Sequence, residues 1–216
     1  ARRVIVGVGG SATTDGGQGC IDALEPRGRL AGVELVVAYD VSTPFVDAAA
    51  VFAGQKGATP KQVALLTRRL ERLAQLYEEI YGVDVRGLPG SGAAGGLAGG
   101  LAAVGAELVP GFELVAEVLE LPARIDEADL VATGEGFLDE HSFSEKAVGG
   151  VLELASAAGV PALVVAGDIL NDLAVPTRDD VAVVSLAECF GRERASTDTS
   201  ACIEEVTRRH LAKLAR

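Results

Sequence analysis

The sequence predicts an α/β protein whose parallel sheets are flanked by helices, and three observations carry that reading. From Ala128 onward, strand-like runs near 129–133, 161–166 and 181–186 alternate with helical patterns near 145–158 and 199–215. Strands spaced this way need crossover helices, and so form a parallel sheet. In the first half, the apolar runs at 3–8 and 33–39 lead directly into glycine and aspartate, at the strand ends where open α/β sheets bind ligands. Composition then shifts near 115–125, which divides the chain into a glycine-loop-rich α/β part, 1–118, and a Rossmann-like α/β part, 119–216.

Taken in order, the strand at 3–8 precedes Gly9-Gly10-Ser11-Ala12-Thr13-Thr14-Asp15-Gly16-Gly17, with four glycines and three hydroxyls in nine residues. Such a loop presents several N–H donors to one anion, with Asp15 available for a hydroxyl or a metal. The second strand ends on Asp40, which either faces a ligand crevice or starts the turn before Pro44. A further glycine-flanked loop, Gly54-Gln55-Lys56-Gly57, carries a lysine in a chain with only four Lys against fifteen Arg. A compact ammonium suits a phosphate oxygen in a tight turn.

Thr59-Pro60-Lys61-Gln62 opens the clearest helix, with a capping threonine, proline at the first helical position and a glutamine that completes a capping box. Val63, Leu66, Leu70, Leu73, Tyr77 and Ile80 keep helical spacing up to Gly82, while Arg68, Arg69 and Arg72 read as a solvated face. Next, Pro89-Gly90-Ser91-Gly92 runs into a glycine-rich helical segment to Ala103. Each helical glycine costs about 1 kcal/mol relative to alanine. The 92/96/100 stripe is therefore expected to serve close packing, and Gly90, Ser91 and Gly92 to contact an anion. Phe112 to Leu121 reads as an amphipathic helix.

The stretch Thr133-Gly134-Glu135-Gly136-Phe137-Leu138-Asp139 follows the apolar run at 128–132. It is expected to be a strand end in which Gly134 and Gly136 let the backbone turn and approach a ligand. Glu135, Asp139 and Lys146 then supply two carboxylates and an ammonium, and a helix starting near Ser144 points its N-terminus into the same space. His141 lies in this stretch as a further candidate for substrate contact.

Composition narrows the function. The chain has 49% hydrophobic residues and a formal charge of −12, and it lacks the clustered Lys and Arg that duplex nucleic acid requires. Aromatics at 4% disfavour base-stacking platforms. No apolar run reaches membrane-spanning length. Cys20, Cys189 and Cys202 are odd in number and widely spaced, as reduced thiols of a cytoplasmic protein are. Gly7-x-Gly9-x-x-Ala12 fits a dinucleotide fingerprint only superficially, and an oxidoreductase reading rests on that match alone. The metalloprotease, α/β-hydrolase and P-loop signatures all lack their defining parts.

Four blocks in this order, at 9–17, 54–58, 89–96 and 133–139 with Lys146, resemble the first class of bacterial glycerate kinases, and the likeness runs from Val4 to about His210. The resemblance implies two α/β domains with a ligand cleft between them, and phosphoryl transfer from ATP to D-glycerate with Mg²⁺. It implies a cytoplasmic enzyme, monomeric or homodimeric, with small-molecule partners and neither nucleic acid nor membrane. On this reading Gly9, Gly10, Ser11, Asp15, Asp40, Gln55, Lys56, Gly90, Ser91, Gly92, Gly134 and Gly136 hold substrate and phosphate. Asp139, Lys146 and Glu135 are catalytic, with Asp139 the metal ligand. The family's amino-terminal D-x-F-K-G and A-D-G-G-E-G-T motifs are absent. The chain is therefore expected to be an incomplete view of a longer protein, and the alternative is a relative that binds an organic acid or nucleotide without turning it over. Glu145 also stands where a glycine commonly precedes the lysine, and Gly54 where proline is common.

Overall fold

A computed structural model describes residues 1–24, 32–140, 142–143, 147–170, 173 and 178–214. The chain divides into two compact units, Ala1–Val115 and Ala116–Arg216. Each contains a three-stranded sheet, in the orders β1-β2-β3 and β4-β5-β6, and every strand pair is parallel.

In the first unit, β1 (Arg3–Gly7) and β3 (Glu107–Pro110) flank β2 (Glu34–Tyr39). The four-residue β3 had no clear sequence signal. Val36 and Val37 at the centre of β2 are fully buried, and the alternate residues Leu35, Val37 and Tyr39 pack with Ala98 and Leu101. Those two belong to α4 (Leu97–Ala103), so the two-residue period of the strand determines which side chains meet the helix. The helices α1 (Gln18–Leu24), α2 (Ala48–Phe52) and α3 (Pro60–Tyr81) complete the unit.

α3 begins and ends where its capping chemistry predicts. Thr59 Oγ1 accepts the Gln62 N–H, the Gln62 side chain accepts the Thr59 N–H at 2.8 Å, and Gly82 closes the helix at φ 73°. Its inward face joins Phe45 and Ile21 through Leu70, Leu73 and Tyr77. The Tyr77 hydroxyl donates to the Gly16 carbonyl at 3.1 Å. Burial is the main cause that pushes this phenol above the ordinary tyrosine range, with Tyr81 and Asp15 adding to it.

The glycine stripe packs as closely as its composition requires. A side chain at Gly92 would lie 2.4 Å from the Pro44 carbonyl, and one at Gly100 would lie 2.5 Å from that of Gly16. Only the part from Leu97 is α-helical, because Ala94 and Gly95 take left-handed conformations ahead of it.

The second unit contains α6 (Leu121–Asp126), β4 (Val131–Leu138), α7 (Ala147–Ala158), β5 (Ala162–Ile169) and β6 (Val181–Ser185), then α8 (Leu186–Phe190), α9 (Arg192–Thr197) and α10 (Thr199–Leu214). The amphipathic segment before it is α5 (Gly111–Val118), separated from α6 by Glu120 at φ 53°. On β5, Ala162, Val164 and Ala166 pack into a cluster with Val148 and Leu152 of α7. Val165 instead meets Leu186, Ala195 and Cys202 of the last three helices. Opposite faces of one strand thus serve two clusters, as a parallel sheet covered on both sides requires.

One expectation is overturned here. Thr133 to Leu138 do not form a glycine turn but continue β4, paired with β5 as far as Leu138↔Ile169. The glycines serve strand contact: a side chain at Gly134 would lie 2.0 Å from the Val165 carbonyl, and one at Gly167 would lie 2.4 Å from that of Gly136. No described helix is long and apolar enough to cross a membrane.

Candidate functional site

β1 and β2 are adjacent and parallel, with Gly7 opposite Ala38, so their carboxyl ends open side by side. The Val8 N–H donates to the Ala38 carbonyl at 3.0 Å and holds the two exits together. Past this point the chains diverge around a cavity of about 410 Å³, walled by Gly9, Gly10, Ser11, Asp40, Gln55 and Lys56. All six are predicted site residues, drawn from three separate sequence blocks.

Lys56 organises the cavity. It comes from the 3₁₀ turn Gly54–Lys56, which Gly57 ends at φ 91°. Its ammonium donates to Ser11 Oγ and to the Thr13 carbonyl, each at 2.7 Å. An ammonium has three donors, so among the described residues one is left for a ligand. Partial burial draws Lys56 below the ordinary lysine value of 10.5. Gly10 sits at φ 57°. Among the described residues, the N–H groups of Gly9, Gly10 and Ser11 enter no hydrogen bond. Open amides beside an ammonium form an anion cradle.

The other predicted residues of this unit fall elsewhere. Asp15 accepts the N–H groups of Gly17 at 3.1 Å and Gly19 at 3.3 Å, which shapes the entry to α1. Gly90, Ser91 and Gly92 are buried, which corrects the expectation that they cradle an anion. The Ser91 hydroxyl donates to the Val85 and Leu88 carbonyls at 3.0 and 2.5 Å, and the Gly92 N–H donates to Thr43 at 2.9 Å. A side chain at Gly90 would strike the Tyr39 ring at 2.5 Å. Their polarity closes a tight internal turn.

In the second unit, Asp139 lies just past the end of β4 and is half-buried. Its N–H donates to Ser142 Oγ at 2.9 Å, and that fully buried hydroxyl lies 3.2 Å from Asp139 Oδ1. Glu135 is half-buried on β4, and its Oε1 is buried without a hydrogen-bond partner among the described residues. Gly134 and Gly136 are strand residues, as above. Lys146, His141 and Ser144 lie outside the described residues.

Sequence reasoning missed Asp168, which pairs across from Phe137 at the end of β5 and holds Arg192 at 2.9 Å. The signal was present: Gly167-Asp168 closes an apolar run just as Asp40 does. Among the described residues, no three His, Cys, Asp or Glu side chains group to hold a metal. Mg²⁺ takes only one or two carboxylates beside phosphate and water oxygens, so Asp139 as a single ligand fits it.

Comparison with known proteins decides the family. The glycerate kinase family model matches residues 25–215. The chain belongs to the glycerate kinase family. An uncharacterized protein of Mycobacterium tuberculosis is 40% identical over 202 residues, covering 90% of this chain and 53% of that protein. The glycerate 2-kinase of Escherichia coli is 33% identical over 224 residues, covering 88% and 59%. A crystal structure from Salmonella typhimurium LT2, provisionally assigned as a glycerate kinase 2, superposes with a TM-score of 0.74 at 34% identity, covering 100% of this chain and 64% of that one. The chain thus spans about half the length of the curated relatives it matches. In this chain the cavity brings together residues from two of the four predicted blocks, Gly9–Ser11 and Gln55–Lys56, with Asp40 beside them.

Proposed function

We propose that this member of the glycerate kinase family is a cytoplasmic ATP-dependent kinase that phosphorylates D-glycerate. The observation that carries the reading is the Lys56 cavity, in which one free ammonium donor and three open backbone amides converge in a protein of net charge −12. Such a site selects a small anion locally, against the field of the whole molecule. The carboxylate of glycerate or a phosphate oxygen satisfies it equally.

In the proposed reaction a hydroxyl oxygen of D-glycerate attacks the γ-phosphorus. The new O–P bond forms as the bond to the bridging oxygen breaks, and ADP leaves with that electron pair. The hydroxyl proton passes to a carboxylate, and Asp40, which walls the Lys56 cavity, is assigned that role. Asp139 is assigned to Mg²⁺, which when bound supplies neutralisation of the phosphate charge. Lys56 and the amides at 9–11 orient the anion, and Lys146 is assigned to the transferring phosphoryl group. Positioning and charge compensation make up most of catalysis in phosphoryl transfer.

The test incubates the purified protein with ATP, Mg²⁺ and D-glycerate and follows both ADP and phosphoglycerate. Stoichiometric appearance of the two products is expected. Binding of D-glycerate with no phosphoglycerate formed would replace the kinase with the alternative, a non-catalytic organic-acid-binding relative.

A further inference from the structure

Among the described residues three serines are buried, and the fold accounts for two of them. The Ser91 hydroxyl closes its internal turn through the Val85 and Leu88 carbonyls. Ser185 caps α8 by accepting the Glu188 N–H at 3.2 Å. The third, Ser142, is fully buried although it lies in a connection and not in a helix or strand. Burying a hydroxyl costs free energy unless it is hydrogen-bonded, and the partner of this one is Asp139, just past the end of β4.

Donor and acceptor capacity fixes the direction of each bond. The Asp139 N–H donates to Ser142 Oγ at 2.9 Å, which leaves the hydroxyl hydrogen for a second contact. That contact is Asp139 Oδ1 at 3.2 Å. An ionised carboxylate only accepts, so the serine donates. The Ser142 N–H also donates to the Asp139 carbonyl at 3.1 Å, so backbone atoms already close the turn. What the hydroxyl hydrogen adds is a hold on the carboxylate itself.

Both residues are anchored. The Ser142 carbonyl accepts the Gly149 N–H from the first turn of α7 at 3.2 Å. A side chain at Gly149 would lie 2.5 Å from the Phe143 carbonyl, so the helix backbone comes directly against residues 142–143. Behind Asp139, the fully buried Leu138 accepts the Leu170 N–H at 2.9 Å. The strand fixes where the aspartate stands, and the hydroxyl acts on how its carboxylate is turned.

We infer that Ser142 is a positioning residue for Asp139: its hydroxyl sets the orientation in which that carboxylate meets a divalent cation. The inference rests on the assignment of Asp139 to Mg²⁺, and it is read by cation affinity, not by turnover. Hydrogen-bond partners that orient a metal-binding carboxylate are typically worth about tenfold to a hundredfold in affinity.

The probe is Mn²⁺, which takes the same oxygen ligands as Mg²⁺. It is titrated into the full chain with ADP present, and free ion is followed by electron paramagnetic resonance. Wild type is compared with Asp139→Asn, Ser142→Ala and Ser185→Ala at a temperature at which circular dichroism shows all four folded. Ser142→Ala adds no atom to the buried position, and Ser185→Ala is the control, a buried serine of the same unit that caps a helix. Asp139→Asn and Ser142→Ala are each expected to bind Mn²⁺ at least tenfold more weakly, and Ser185→Ala to stay within twofold of wild type. Unchanged affinity in Ser142→Ala would make the serine a structural residue and overturn the inference. Equal weakening in Ser185→Ala, unchanged affinity in Asp139→Asn, or no Mn²⁺ held by the wild type would each overturn it as well. The kinase proposal is judged separately by phosphoglycerate formation, so either can fail alone.

Discussion

Lys56 donates to the Ser11 hydroxyl and to the Thr13 carbonyl, and its partial burial costs solvation, which is why its acidity differs from that of a surface lysine. Replacing it with alanine removes the only ammonium in the cavity wall among the described residues. Hydrogen bonds to charged groups contribute about 1.5–3 kcal/mol, so Lys56→Ala should weaken anion binding by about tenfold to a hundredfold. The melting temperature should move little, because the side chain is only part-buried. Loss of stability with unchanged binding would make Lys56 a structural residue. The pH dependence has a definite sign. Because the folded-state pKa is lowered, the charged form is the disfavoured one, and its cost to stability is full below the folded value and vanishes as pH rises past the ordinary 10.5. Binding runs the other way: only the protonated amine attracts an anion, so affinity should fall as pH rises through that lowered pKa. A titration of anion affinity between pH 8 and 11 should place the midpoint below 10.5 in wild type and show no such transition in Lys56→Ala.

At the scale of elements, glycines separate what was legible from what was not. The helix at 60–81 could be read in full, because cap, proline, period and terminal glycine all act within a few residues of one another. The glycine loop after β1 was legible as an irregular connection for the same local reason. Gly134 was not: a glycine before a carboxylate looks the same whether it frees a turn or admits a neighbouring carbonyl, and only the pairing of β4 with β5 distinguishes the two. Gly90 and Gly92 misled in the same way, since their crowding comes from Tyr39 and Pro44, some fifty residues earlier. The short β3 and the helices α8 and α9 carry too few residues to show a period, and Asp168 went unread because its strand was placed three residues too short. The strand assignment has a direct check. Gly134→Ala puts a methyl group against the Val165 carbonyl and should destabilise by about 3 kcal/mol. Gly136→Ala meets nothing within 4 Å and should stay within about 0.5 kcal/mol. Urea unfolding of both variants distinguishes this strand from a turn, in which the two glycines would be alike. In α3, Thr59→Ala should cost about 1 kcal/mol in the same assay through loss of the cap.

For the whole molecule, charge sets a balance that salt can reveal. The chain carries 31 acidic against 19 basic residues, and unbalanced charge of one sign destabilises a compact state by self-repulsion. Opposing this are surface ion pairs such as Arg208–Glu204 and Arg209–Glu205, whose side chains are mostly well exposed. Exposed pairs contribute about 0–1 kcal/mol each and lose part of that to screening. The repulsion acts over longer distances: at 0.01 M salt the screening length is about 30 Å, which reaches across each unit, and at 0.15 M it is about 8 Å. Added salt therefore removes long-range repulsion while leaving contact pairs only partly weakened. The expected result is a melting temperature at pH 7 that rises by about 3 °C between 0.01 and 0.15 M sodium chloride. The rise should shrink toward zero near pH 5, where the net charge approaches the isoelectric point of about 4.6. A fall in melting temperature with salt at pH 7 would mean that the helix-face ion pairs outweigh the excess of acids, and that the acidic surface is held together by its arginines.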